Sequence, residues 1–486
     1  MSANLIRISV IMLIAVLACR SPAFGFDFTY PFFDDPLLTK PATIEKGVIL
    51  PGDTAPIKCA GQKDFSRPLA LGEAVDLALC NNPQIKSAWA NIKIQAGAVG
   101  EARAAYLPTL SGSLNQTNDQ KSYPKSNYPS SNNDRTTFQG GATWRIFDFG
   151  GRAANHEAAE NLLTAALASH NATLQKALSD VIQAYFDAMT AQAALKAATE
   201  GEGIAQLTLS SAKAREEKGV IPQSDKLRAK TALAKAALEH NRAYGNYRKA
   251  MAVLGHILGV PSNTVISIPA DIQSNTAEVS KDLKSWLEEA QKNHPAIIAA
   301  RAQVEAAQNR VTVARSAGLP TLNFSSNYYQ NTGPGEAVTP TETNETTVGI
   351  GLSIPLFDGF SSTYKIRGAQ AQVEQKKAEL ADTEDRIALE LIKAYADVTF
   401  TLLNLDASAN LLETAQEALT VSQRRYDKGA ADITEILSTQ STLSNAQQER
   451  IRCLAEWHSA RLRLLASAGQ MGRSAATLEK YTPLVK

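Results

Sequence analysis

The sequence predicts a mainly α chain with a small β part, in which long α-helical hairpins are joined to four β-strands within two internal repeats. Three observations carry this reading. Landmarks recur at a nearly constant offset, proline-free stretches show coiled-coil spacing, and short segments of period two sit at matching points of the two copies.

The offset is read from particular residues. Asn82-Pro83 returns as His294-Pro295, and Ala105-Tyr106-Leu107-Pro108-Thr109-Leu110 returns as Ala317-Gly318-Leu319-Pro320-Thr321-Leu322, both displaced by 212 residues. Phe147-Asp148 and Phe357-Asp358, Ala184-Tyr185 and Ala394-Tyr395, and Lys218-Gly219 and Lys428-Gly429 are displaced by 210. Five landmarks in one order define a unit of roughly 210 residues, far longer than a solenoid repeat. The expected organisation is a signal peptide over 1–25, an N-terminal extension over 26–68, a first repeat over 69–285, a second over 286–470 and a tail over 471–486.

Each repeat reads the same way. A helix is expected from Pro83 to about Ala105, and its counterpart from Pro295 to about Ala317. Proline suits a helix start, where its missing N–H would lack a partner anyway. The following Leu-Pro stops the helix, because the residue before proline avoids the helical region. Two short strands come next, over Thr109–Gln116 and Phe138–Phe147 in the first repeat. In the second they are Thr321–Gln330 and a segment where Val348, Ile350, Leu352, Ile354 and Leu356 alternate with small or polar residues. Polar stretches, Thr117–Arg135 and Asn331–Thr346, read as exposed loops. Four strands cannot close a barrel, and an open edge cannot face lipid, so strands in a membrane require several chains to pool them.

The long helices follow. No proline occurs from Arg152 to Lys218 or from Ser361 to Lys428. Each stretch of about 67 residues would extend roughly 100 Å as a helix. Leu163, Leu167, Leu174, Leu178, Val181, Tyr185 and Met189 in the first are spaced by 3, 4 or 7, and so are Val373, Leu380, Ile387, Leu391, Val398, Leu402, Leu405, Leu412 and Leu419 in the second. Gly219 and Gly429 end these helices, and a second helix returns from each.

The first residues read as an export signal, with Arg7 ahead of a mostly apolar run from Ile8 to Ala18. Two exits are open. Ala23-Phe24-Gly25 is a small-x-small cleavage site, and Val16-Leu17-Ala18-Cys19 resembles a lipoprotein box in which Cys19 would be acylated. Net charge is +1, which gives no electrostatic reason to expect nucleic acid. Cys59 and Cys80 pair in an oxidising compartment or stay as small apolar residues, and Cys453 is expected to pack in a late helix. The six histidines are scattered. His156 and Glu160 share a helical face, but no second histidine completes HExxH, so a solvated face is expected and no metal or catalytic site. A soluble coiled-coil rod explains the helices but not the strand pairs.

At these residues the chain resembles the TolC family of outer-membrane efflux and secretion channels. The pieces are LGEAVDLALCNNPQI, ARAAYLPTL, WRIFDFGGR, ARSAGLPTL, GLSIPLFDGF and RRYDKGAADITEIL, over about Leu69 to Gly469. Cys59, Cys80 and Trp89 make it most like the CyaE-type members, which serve type I secretion of a toxin. The resemblance implies a homotrimer whose strands form one outer-membrane β-barrel and whose hairpins form a tunnel across the periplasm. It further implies a periplasmic adaptor, an inner-membrane ABC or other transporter, no cofactor and no enzymatic activity. Multidrug or small-molecule efflux is the alternative.

The site is expected at the hairpin tips. Asp225 and Glu435 each follow the turn glycine by six residues, where a helix dipole also favours acids. The family pattern implies that Glu435 faces the pore constriction and that Tyr426 bonds Asp225 as a latch. A second pore acid of that pattern is Ser438 here, and a tip arginine is Ala431.

Overall fold

The computed structural model describes residues 35–41, 59, 65, 67–124, 130–261, 264–269, 281–332 and 342–472. The signal segment with Cys19 lies outside them, as does the tail beyond 472. Residues 1–40 and 41–486 are separate compact units. In the first, Asp35 accepts hydrogen bonds from the backbone N–H groups of Thr39 and Lys40, each 2.9 Å.

The second unit runs α1 (Leu71–Asn81), α2 (Pro83–Ala104), β1 (Thr109–Lys121), β2 (Ser131–Phe147), α3 (Gly151–Glu217), α4 (Gln223–Ile257), α5 (Leu283–Asn293), α6 (Pro295–Ser316), β3 (Thr321–Thr332), β4 (Thr343–Ser353), α7 (Ser361–Asp427) and α8 (Ile433–Ser467). The order α-α-β-β-α-α occurs twice. Helices α3 and α7 are both 67 residues long, and α4 and α8 both 35.

Two expectations need correction. The polar stretches 117–135 and 331–346 begin and end as strand among the described residues. β1 runs on to Lys121, β2 starts at Ser131, and β4 starts at Thr343. A ladder is held by backbone hydrogen bonds, so polar side chains extend a strand wherever both faces are open to solvent. β4 also ends at Ser353, so Ile354 and Leu356 follow the strand. The short helices α1 and α5 were not anticipated as separate elements. Each breaks at an extended residue, Asn82 or His294, before the proline that opens the next helix.

The four strands form one antiparallel sheet in the order β1-β2-β3-β4, in which β2 of the first repeat pairs with β3 of the second. The register sorts the side chains by face. Leu110 is opposite Ala142, Leu114 opposite Phe138, Trp144 opposite Phe324, Phe324 opposite Ile350, Ser326 opposite Val348, and Leu322 opposite Leu352. Paired residues share a face, so these define an apolar one. Ser111, Ser113, Gly141, Thr143, Ser325, Asn327, Thr347 and Gly349 lie on the other. Among the described residues nothing covers the apolar face, with Leu110 82% and Val348 62% exposed.

The sheet is fixed to the helices beside α3. The Arg152 guanidinium donates to the carbonyls of Arg145 and Ile146 and pairs with Asp148 at 3.1 Å, and the Trp144 indole donates to the Tyr106 carbonyl at 2.8 Å. His156 and Glu160 belong to this joint. Arg103 of α2 donates to the His156 imidazole at 3.1 Å and to Glu160 at 3.3 Å, so the pair makes an interhelical contact, with Glu160 on a solvated face as expected.

The core lies at the middle of the long helices. One cluster gathers Leu174, Leu178, Val181, Ile182, Tyr185 and Phe186 of α3 with α1, α4 and α8. The other gathers Trp286, Ile297, Ile387, Leu391, Val398 and Trp457 from α5, α6, α7 and α8. The repeats close on one another there, since Gln175 of α3 both donates to and accepts from the backbone of Met471. Two glycines make close joints at this level. A Cβ at Gly259 would lie 2.8 Å from Asn81, and one at Gly469 would lie 2.8 Å from Pro295.

At this level α2 and α6 start alike. Asn82 accepts from the Gln84 N–H at 2.8 Å, and the His294 Nδ1 accepts from the Ala296 N–H at 3.2 Å. Only a neutral imidazole can accept. Burial pushes His294 down to about 4, and the charge of Arg386 adds to the shift. The stability tied to neutral His294 is therefore complete above about pH 6.5 and is lost as pH falls from there towards 4, because the unfolded chain takes up the proton first. The loss should approach about 3 kcal/mol. His294→Asn, which copies the cap of the first repeat, should remove this acid-sensitive component. Denaturation midpoints of both proteins at pH 4.5 and 7.5 check it, and equal pH dependence would refute it.

Candidate functional site at the hairpin tips

The tips are built by the same local chemistry twice. Helix α3 ends with the Gly219 N–H bonded to the Glu216 carbonyl and the Val220 N–H to that of Arg215. Helix α7 ends with Gly429 bonded to Tyr426 and Ala430 to Arg425. Both glycines are left-handed, φ +71° and +72°. This pattern satisfies the last carbonyls of a helix and needs a residue without a Cβ penalty at the turn. The chain then re-enters a helix. Asp225 and Glu435 both stand in the first turn, and the Asp432 carboxylate caps α8 by accepting from the Glu435 N–H at 2.9 Å.

A small core joins the two tips. Leu209 and Ala212 of α3, Ala229 of α4, Tyr426 of α7, and Ile433 and Ile436 of α8 are buried against one another. Polar links cross beside them. Arg228 of α4 donates to the Thr434 hydroxyl at 3.1 Å, and Gln440 of α8 donates to that of Thr208 at 2.9 Å.

The structure places Asp225, Tyr426 and Glu435 together at this end but does not bond them as expected. Tyr426 is 3% exposed, and among the described residues its hydroxyl makes no hydrogen bond to Asp225. Each partner is engaged elsewhere. Arg228, three residues on in the same helix, lies 3.7 Å from Asp225. The Arg215 guanidinium lies 4.2 Å from the centre of the Tyr426 ring. Glu435 is also paired, with Arg425 at 2.9 Å. The arginines were missed because charged residues before a turn glycine read as ordinary solvated positions. Away from the tips, Cys59 and Cys80 are joined as a disulfide, and Cys453 is a buried free thiol in α8.

Among the described residues no cluster of His, Cys, Asp and Glu is placed to hold a metal ion. What the chain presents is a sheet with one apolar and one polar face, two long hairpins, and a charged end where the hairpins meet. Comparison with known proteins gives the same architecture. The chain is 34% identical to Protein CyaE of Bordetella pertussis over 441 residues, 90% of this chain and 91% of that one. It is 20% identical to outer membrane protein TolC of Escherichia coli over 81% of its length and 80% of that protein's. The Campylobacter jejuni CmeC outer membrane channel superposes with a TM-score of 0.74 at 18% identity, over 86% of this chain and 92% of that one, a likeness of fold. The family described as outer membrane efflux protein matches residues 74–260 and 286–470, one span on each repeat. With both repeats matched and the sheet and hairpins in place, the chain belongs to the outer membrane efflux protein family, whose members are transport channels of the outer membrane.

Proposed function

We propose that this protein is the outer-membrane conduit of a type I protein-secretion system, a homotrimer that works with a periplasmic adaptor and an inner-membrane transporter. The sheet carries the reading. Its four strands have one apolar face and two outer strands, β1 and β4, that each pair on one side only. In lipid those edges must be closed by other copies of the chain. Two copies would give about eight strands, a barrel just wide enough to be filled by its own side chains. Three copies are the fewest that leave an open lumen, and the polar face would line it. In mild detergent the purified protein should therefore be a trimer by light scattering, and a monomer or dimer there sinks the proposal.

Protein cargo is favoured over small molecules by the 34% identity to CyaE over most of both chains, the member type that the sequence resembles. Expressed in a host deleted for its own channel but holding a type I transporter and adaptor, the chain should restore release of the large protein substrate. Restored drug tolerance without protein release would favour the efflux reading.

Glu435 is proposed as the acid at the constriction, where a ring of carboxylates favours cations. Its pairing with Arg425 lessens that preference. Glu435→Gln should lower cation selectivity in planar bilayers, and Arg425→Gln should raise it. Reversal potentials in a salt gradient measure both, and unchanged values in both variants would place the selectivity elsewhere.

A further inference from the structure

The two corners where the sheet meets the helices occupy equivalent places in the repeats but differ in charge. In the first, Arg152 is held by Asp148 and two strand carbonyls, and Arg103 by His156 and Glu160. In the second, Arg103 returns as Arg315, but Ile366 and Gln370 stand where His156 and Glu160 were. Lys365 replaces Asn155, and Arg367 replaces Glu157. This corner has kept or gained three cations and lost the acids that would hold them. No Asp or Glu occurs between Asp358 and Glu374, and Asp358 accepts from the Ser362 N–H at 2.8 Å. Arg315, Lys365 and Arg367 are exposed, and none is ion-paired among the described residues. The end of α6 and the start of α7 meet here, since a Cβ at Gly318 would lie 3.4 Å from Ser362.

We infer that this second corner is a seat for an anionic phospholipid, with the headgroup phosphate among Arg315, Lys365 and Arg367 and the acyl chains along the apolar face of the sheet. The inference rests on the reading of the sheet as a membrane barrel, which puts the corner at the periplasmic surface of the bilayer. The apolar face continues down to it. Phe147, the equivalent of Phe357, is in register with Leu322 of that face. Leu356 is 92% and Phe357 76% exposed, and the Phe357 and Phe360 rings meet edge to face at 5.4 Å. Apolar groups lie towards the sheet and cations towards the helices, the order in which a lipid presents its chains and its phosphate. A soluble anion would match the cations and leave the exposed apolar patch in water. Guanidinium groups suit phosphate because they donate to two oxygens at once.

Native mass spectrometry of the detergent-solubilised oligomer, titrated with phosphatidylglycerol or with phosphatidylcholine, tests this. Wild type should bind phosphatidylglycerol more tightly. Arg315→Gln, Lys365→Gln and Arg367→Gln should each lower that preference roughly fivefold, the usual effect of one basic side chain at an anionic surface. The triple variant should bind both lipids alike. Arg103→Gln, at the corner whose cations already have partners, should keep the wild-type preference. Equal affinity of wild type for the two lipids overturns the inference, and so does an unchanged preference in the triple variant. A triple variant that folds but separates into monomers also overturns it, because the cations would then serve the contact between copies. Should the triple variant fail to fold, the single variants decide, and the wild-type preference in all three overturns it. Wild-type protein that is monomeric in detergent would instead refute the barrel reading.

Discussion

Val348→Arg is expected to keep the protein out of the outer membrane. Val348 is the central residue of β4 and stands on the apolar face of the sheet, opposite Ser326. A charged side chain on the lipid face of a transmembrane barrel costs about 2–4 kcal/mol near the bilayer midplane. The proposed trimer repeats that cost in each copy. Its chain neighbour Thr347 lies on the polar face, opposite Asn327. Thr347→Arg should therefore assemble, because a lumen-facing charge stays in water. Membrane fractionation followed by sizing of the oligomer separates the two outcomes. Assembly of Val348→Arg at the wild-type level would mean that this face does not meet lipid.

Loss of the Cys59–Cys80 disulfide is expected to loosen the N-terminal edge of the helical body. The bond spans 21 residues and ends on the last turn of α1. In the chain-entropy model a loop of this size contributes about 3 kcal/mol. The Cys59→Ser/Cys80→Ser variant should have a lower denaturation midpoint, and the amides of α1 should exchange faster than in wild type. Helix α7 should be less affected, because its core gathers residues of the second repeat. Peptide mapping without reduction should recover the linked pair from exported protein, and two free thiols there would refute the pairing.

Much of the fold was legible because its boundaries are set by residues with hard backbone constraints. Pro83 and Pro295 open α2 and α6, and Gly219 and Gly429 close the longest helices within one residue of the expected ends. A ring-locked φ or a left-handed turn leaves little freedom, so sequence and structure agree there. Strand ends were less legible. Asn118 and Asp119 look like loop residues, yet they pair with Asp134 and Asn133, because the ladder depends on backbone groups. The tip was legible in part. The acids at Asp225 and Glu435 follow from the repeat, but the contact between Arg215 and Tyr426 joins residues 211 apart and leaves no periodic trace.

The glycine joints at the middle of the helical body limit how this molecule can move. Gly259 sits against Asn81, whose Cβ is closest, and Gly469 against the Pro295 ring and the His294 imidazole, at the end of each return helix. The glycines leave no room for a side chain of their own, so sliding a hairpin along its own axis must disturb this close contact. Swinging about the joint remains open. Helix α4 has 35 residues, a lever arm of about 50 Å. A tilt of about 5° at the joint then carries the far end sideways by roughly 4 Å, more than the diameter of a water molecule. A displacement too small to disturb the packed middle thus becomes, at the tip, the difference between contact and passage.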